Sequence, residues 1–569
     1  MKKEYYSRLL TLGLVAVLAS FLFYSCSKGN KKPQKSPAAN NELLSKQMVN
    51  QAAYIPSQCY TKTEDATPNK YNPCYSCHTN SRDPNYMSDP ELQESYAFPE
   101  YARENHWSNL FIDRTAKVNA ITDSDITAYV EENNYISGNT LLLAEKLKNV
   151  PQGWDFDADG KWSGYTPDCY YNFDTDGFDK DPSGNYTGWR AFGYYPFLGT
   201  FWPTNGSTDD VLIRLPEEMR KDASGNFSLE VYKINFAIVE SVVHRKDVIM
   251  DAVNENVYGV DLDKNGSMGT ATLIKYDWAP TNGKYMYYVG LAKQKQNEDK
   301  LHLAAGLFPE GTEFLHSVRY ISTKDDTISL APRMKELRYG KKYTWSTYAD
   351  LSQRAQAKAK EKFENPDRLD YIGGDMEHGV IAGTGWVYQG FIEDKNGDLR
   401  PQTYEENVFC IGCHSNLGAT TDTIFSFPRK FDSASAFQKG WYHWSQKGLG
   451  NIPEATRASD GEYEYAYYLM QNKAGDEFRA NSEVIDKFFD GSGNPIASEF
   501  TALQTDISHL LFPSIARART LNKAYKVIVQ DQSFIYGRDA TVTPPANVHA
   551  TITQDQPTNV TVVPENRIQ

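Results

Sequence analysis

Two pentapeptides, Cys74-Tyr75-Ser76-Cys77-His78 and Cys410-Ile411-Gly412-Cys413-His414, set two thiols three residues apart with an imidazole directly behind them. They use four of the chain's seven cysteines. On one short turn, thiols at this spacing can form thioethers to the vinyl groups of a porphyrin while the histidine reaches the iron from below. A chance match to the pattern is expected on the order of 10⁻³ times. A thioredoxin-like redox pair does not need the terminal histidine, and a zinc site needs a second ligand pair nearby, which neither motif has. The residues predict two covalent haem c groups, held by Cys74, Cys77, Cys410 and Cys413, with His78 and His414 as iron ligands.

An iron bound by protein on both sides exchanges electrons, whereas one open side can bind small ligands. His106 follows His78 by 28 residues and His443 follows His414 by 29, and this near-equal spacing predicts that they are the distal ligands. Met87 competes with His106. Met376 and His378, in a glycine-rich turn, compete with His443. The other histidines, His244, His302, His316, His509 and His549, read as structural or solvated.

A separate pattern is acidic. Asp155-x-Asp157-x-Asp159-Gly160 and Asp261-x-Asp263-x-Asn265-Gly266 place oxygen ligands at alternate positions before a glycine, as calcium loops do. Asp155, Asp157 and Asp159 are the expected calcium ligands. Thr166 and Thr272 stand where a closing bidentate Glu belongs, so another acid must serve, such as Asp168, Asp174, Asp176, Asp179 or Asp181 in the first loop. The competing reading is an Asx-rich turn. Cys59 and Cys169 are expected to pair in an oxidising compartment, and a loop of about 110 residues would stabilise the fold by up to roughly 4.7 kcal/mol on the chain-entropy model.

Haem attachment requires export, and the N-terminus supplies a signal. Lys2, Lys3 and Arg8 precede an apolar run over 9–23 that is too short for a comfortable membrane span. Residues 1–25 read as a lipoprotein signal peptide, Cys26 as the lipidated residue and 26–41 as a flexible tether. The remainder divides by pattern into a first haem module over 42–150, a β-rich middle domain over 151–346, a second haem module over 347–450, a helical region over 451–540 and a tail over 541–569. Strands are expected over 228–236, 270–276 and 284–291, helices over 347–363 and 498–526, and a hairpin turning on Asn396-Gly397. The expected fold class is α+β, with two mainly helical c-type haem modules bracketing the β-rich middle. A net charge of −14 argues against nucleic acid as a partner.

Through the ten residues of the two motifs and the export signal ending at Cys26, the chain resembles the c-type cytochromes, as a bacterial dihaem cytochrome c lipoprotein. The resemblance implies electron transfer to or from a redox partner protein of the cell envelope. The chain would be lipid-anchored to a bacterial membrane, the outer one expected, with its body in the periplasm or outside. The motifs stand 336 residues apart (positions 74 and 410), which suits two modules around an insertion. Two further classes stay open. One is a dihaem peroxidase or oxygenase with an open distal iron site; the other is a binding lipoprotein, glycans among its candidate ligands, whose aromatic-rich middle surface does the work.

Overall fold

In the computed structural model, the described residues are 43, 48–63, 73–85, 94–200, 202–457, 460–472 and 481–560. The signal peptide, Cys26, the tether, Met87 and the end of the tail lie outside them.

Ten strands form one antiparallel sheet: β1 (Phe178–Lys180), β2 (Tyr186–Ala191), β3 (Thr208–Asp209), β4 (Leu212–Arg214), β5 (Glu313–Ser322), β6 (Ser329–Lys342), β7 (Gly374–Asp375), β8 (Gly379–Ala382), β9 (Trp386–Glu393) and β10 (Leu399–Pro401). Their order is β7-β8-β9-β6-β5-β4-β2-β1, with β10 on β9 and β3 on β5. The long β5–β6 pair is buried along most of both strands, so both of its faces need cover. Helix α1 (Asp123–Glu131) and the C-terminal helix pack with Tyr320, Ala331 and Ile392 in one apolar cluster. Helix α2 (Leu229–His244) packs with Phe178, Ile213, Phe314 and Trp386 in another. The remaining long helices are α3 (Tyr348–Glu364), α4 (Tyr404–Cys413) and α5 (Ile515–Asp531), which is that C-terminal helix.

This architecture corrects the expected fold class. The sheet takes strands from both sides of the expected module boundary, because β7 to β10 fall within 347–450. Around the first motif, the helical segments among the described residues between 48 and 114 are all short 3-10 turns, and the described residues show no pair of helical haem modules. The expected strand over 228–236 is the start of α2, capped by Ser228 accepting from the Val231 amide. That helix is buried nearly all round, so its apolar residues carry no clear 3.6 period and mimic alternation. The segment 284–291 forms no strand. Other expectations hold: Thr347 and Asp350 form a capping box on α3, and Gly397, at φ 91°, turns β9 into β10. The span 498–526 is helical but broken into three pieces, the last being α5. The tail threads back onto the N-terminal part through the bridges Thr61–Val548, Glu104–Thr551 and Ser95–Pro557.

Several ion pairs are sealed inside. Lys430 Nζ lies 2.9 Å from Glu240 of α2, with both side chains at or below 1% exposure. Removing one member leaves an uncompensated buried charge, whereas an apolar pair of similar volume does not. Glu240→Ala is expected to cost about 3–5 kcal/mol in denaturant unfolding. The double change Glu240→Leu with Lys430→Met should recover most of that loss. Glu454 has no such cation among the described residues: burial pushes it up to about 8, against the hydrogen bond it accepts from the Ala466 amide at 2.7 Å. An unfolded Glu titrates near about 4.3. Folding therefore takes up a proton across the window between these values, and stability contributed at low pH is lost as pH rises toward 8. Glu454→Gln should flatten that decline in pH-dependent melts.

Candidate haem-attachment site

Both motifs close through the same hydrogen bond. In the first, a 3-10 turn (Pro73–Ser76) is followed by the His78 amide donating to the Cys74 carbonyl at 2.9 Å. In the second, the motif ends α4, and the His414 amide donates to the Cys410 carbonyl at 2.8 Å. Helix α4 is started by a Thr403–Glu406 capping box, and Glu406 also forms a bidentate pair with Arg400 of β10. The sheet thereby fixes the helix that carries the second pair of thiols.

The two turns pack directly against each other. The Ala419 amide donates to the Cys77 carbonyl at 3.1 Å, and the Asn85 side chain donates to the Leu417 carbonyl at 2.8 Å. Gly418 sits so close that an added Cβ would lie 1.6 Å from the Thr79 carbonyl oxygen. The N-terminal strand of chain crosses the second motif as well: a Cβ on Gly412 would meet the Tyr54 carbonyl oxygen at 2.4 Å. That crossing brings Cys59 within electrostatic reach of both Cys74 and Cys413, and burial pushes its thiol up to about 12.

His414 is held in one tautomer. Its Nδ1 lies 2.8 Å from the Thr423 carbonyl, which can only accept, so Nδ1 carries the proton and Nε2 keeps a lone pair. Burial lowers this imidazole to about 4, keeping it neutral, the form that binds metals. The carbonyl is aimed by an unusual loop: Asp422 and Thr423 both take left-handed backbone, φ 51° and 63°. For a β-branched residue this conformation is costly and needs external support. The support comes from the buried Lys342–Asp422 pair at 2.5 Å and from the Tyr388 hydroxyl on Thr423 Oγ1 at 2.9 Å. Tyr388 and Phe425 rings flank His414 at 4.6 and 5.8 Å.

A prosthetic group also needs space. Cys59, Cys410, Cys413, His414, His316 and Arg338 all lie deep among protein atoms, and yet each keeps part of its surface accessible. Any attached group would have to lie against these partly accessible side chains. With two thiols beside a neutral imidazole of defined tautomer, the donor set fits a covalently attached haem.

Of the distal residues expected from spacing, His443 is committed elsewhere. His443 Nε2 meets Asp210 Oδ2 at 3.1 Å, while its Nδ1 accepts from the Ser445 amide at 3.1 Å. No ring nitrogen is left for iron. His106 Nε2 lies 3.0 Å from the Tyr101 carbonyl, and its ring stacks on Tyr101 at 4.2 Å. Met376 is buried in the apolar cluster of Tyr135 and Trp189, and exposed His378 pairs with Asp375 at 3.0 Å. Equal spacing along the chain carried no spatial equivalence, because one motif ends a helix on the sheet and the other is a 3-10 turn.

The Cys59–Cys169 bridge is not formed either. Cys169 is a buried thiol in the cluster of Tyr135, Trp154 and Trp189, whereas Cys59 lies between the motifs.

The two acidic loops share one construction. In the first, Asp155, Asp157 and Asp159 bring one oxygen each within 4.8 Å of one another; in the second, Glu255, Asp261 and Asp263 do so. The supporting acid in the first loop is Glu377, fully buried, which accepts from the Phe156 and Ser163 amides at 2.9 and 2.7 Å. Glu255, also fully buried, accepts from the Leu262 and Gly269 amides at 2.6 and 2.8 Å. These amides occupy the same two loop positions in each case. Asp168 and Asp179, considered from sequence, instead serve Arg214 and the Tyr170 and Asn172 amides. No local pattern flags Glu377, which lies more than two hundred residues from the loop it supports.

A family model described as “-like lipoprotein” matches residues 44–507. An “Uncharacterized lipoprotein” of Aquifex aeolicus (strain VF5) is 31% identical over 566 residues, covering 91% of this chain and 90% of that protein. No solved structure matches. No helix among the described residues is long and apolar enough to cross a membrane. These matches correct the resemblance drawn from ten motif residues and an export signal: the family is not that of the c-type cytochromes. The chain belongs to this lipoprotein family, whose name marks it as a lipid-anchored protein of the cell envelope.

Proposed function

We propose that this lipoprotein carries two covalently attached haems side by side, held by Cys74, Cys77 and His78 and by Cys410, Cys413 and His414. The observation that carries the reading is the convergence of two motifs 336 residues apart (positions 74 and 410) into interlocked turns, joined by the Ala419–Cys77 hydrogen bond of 3.1 Å. Bound there, such groups supply one-electron chemistry, and a redox partner protein of the envelope is the matching partner. The chain's own residues orient the imidazole through Thr423, keep it neutral by burial and enclose the attachment thiols. Lipidation of Cys26 would hold this body at a membrane. The experiment is the absorption spectrum of the secreted protein, before and after reduction and after acid extraction. Haem that stays with the polypeptide supports the reading; a colourless protein from a host able to attach haem overturns it.

A second reading, a binding lipoprotein, is favoured by Phe363 and Tyr371, which are 87% and 92% exposed at and after the end of α3. Ligand binding lost in Phe363→Ala and Tyr371→Ala but kept in the cysteine variants would favour it.

We propose calcium for the first acidic loop, through Asp155, Asp157 and Asp159, supported by the Glu377 arrangement that the second loop repeats with Glu255. Oxygen-rich loops of this kind bind extracellular calcium even when weak, and a ligand bound only by the folded state raises stability. Calcium is expected to raise the melting temperature and EDTA to lower it, with the response reduced in Asp157→Asn.

A further inference from the structure

We infer that His316 of β5 is the second axial ligand facing the iron held by His414, an inference that rests on reading the second motif as a haem site. The sheet sets the position. His316 pairs in register with Arg338 of β6, so the two side chains stand on the same face of the sheet. Both interact electrostatically with His414, and Arg338 also reaches Cys410 and Cys413. The side chains of His316 and Arg338 are 22% and 29% exposed although they lie deep in the molecule, so both keep surface that a bound group could meet.

The tautomer sets the chemistry. His316 Nδ1 lies 2.5 Å from the Asp210 carbonyl, so it carries the proton and Nε2 keeps its lone pair. His414 is pinned in the same way by the Thr423 carbonyl. A backbone carbonyl on Nδ1 is how a metal-binding imidazole is commonly oriented, with Nε2 aimed at the metal. The nearest acid to His316 Nε2 is Asp209 Oδ2, at 3.6 Å, too far for a hydrogen bond. Asp210 is in turn held by His443, Ser317 and Arg319, so His443 acts at one remove, by fixing the residue whose carbonyl orients His316. Glu336 holds Arg338 at 2.9 Å and also pairs with Arg538 at 2.7 Å, which keeps Arg338 beside His316 rather than folded over it.

The test uses the full-length, haem-loaded protein, with covalent haem counted by intact mass in every variant. His316→Ala is expected to keep both haems while converting about half of the haem absorption from low-spin to high-spin form, and added imidazole should restore the low-spin spectrum. Two haems with an unchanged spectrum in His316→Ala would overturn this inference and leave the attachment reading standing. If His316→Ala does not fold, His316→Met decides: a thioether ligand raises the reduction potential of one haem, and an unaltered potential overturns the inference. A wild type without covalent haem removes the inference together with the reading beneath it.

Discussion

Cys410→Ala with Cys413→Ala is expected to yield a protein with one haem fewer than the wild type, and Cys74→Ala with Cys77→Ala to remove the other. The effect should not stop at stoichiometry. The thiols of the second motif lie deep among protein atoms, near Arg338, rather than on the surface. Loss of the attached group would leave its place to water or to collapse, so the Cys410/Cys413 variant should also melt at a lower temperature than the Cys74/Cys77 variant. Intact mass and thermal denaturation of the two variants, side by side, check both parts. Equal haem content in all three proteins would show that the cysteines hold nothing.

Gly418→Ala is expected to damage both sites at once. The new Cβ would fall 1.6 Å from the Thr79 carbonyl oxygen, 2.6 Å from its carbon and 2.9 Å from the Thr79 amide nitrogen, and all three are backbone atoms. Backbone cannot rotate away as a long side chain can, so the turns must separate. Overpacking costs typically about 1–3 kcal/mol, and here it also breaks the Ala419–Cys77 hydrogen bond. Lower stability should therefore come with altered absorption from both haems. Gly450→Ala serves as the control, since nothing lies within 4 Å of a Cβ there, and a change within about 0.5 kcal/mol is expected.

The local geometry of the two motifs was legible because their spacing is local: one turn sets thiol, thiol and imidazole, and both turns close through a hydrogen bond from the histidine amide to the first cysteine carbonyl. The capped helix α3 and the turn at Gly397 were legible for the same reason. What surrounds the motifs was not. His316 lies in a strand whose burial leaves no period, and only its register with Arg338 sets it on the face that Arg338 shares with the second motif. His443 satisfied a spacing argument and yet is bound to Asp210, because chain separation does not measure distance across a sheet. The α2 segment misled for a related reason: a helix buried on all sides resembles a strand in sequence. Glu377 and Glu255 reach their loops from different directions, one from the far side of the chain and one from just before its loop, so no single spacing rule finds both.

The most direct test is the intact mass of the full-length protein secreted by a host that attaches haem to exported chains. The account predicts a polypeptide heavier by two haems, reduced to one in either double-cysteine variant. A mass equal to that of the bare processed chain, with all of these cysteines free to react with a thiol reagent after unfolding, would contradict it.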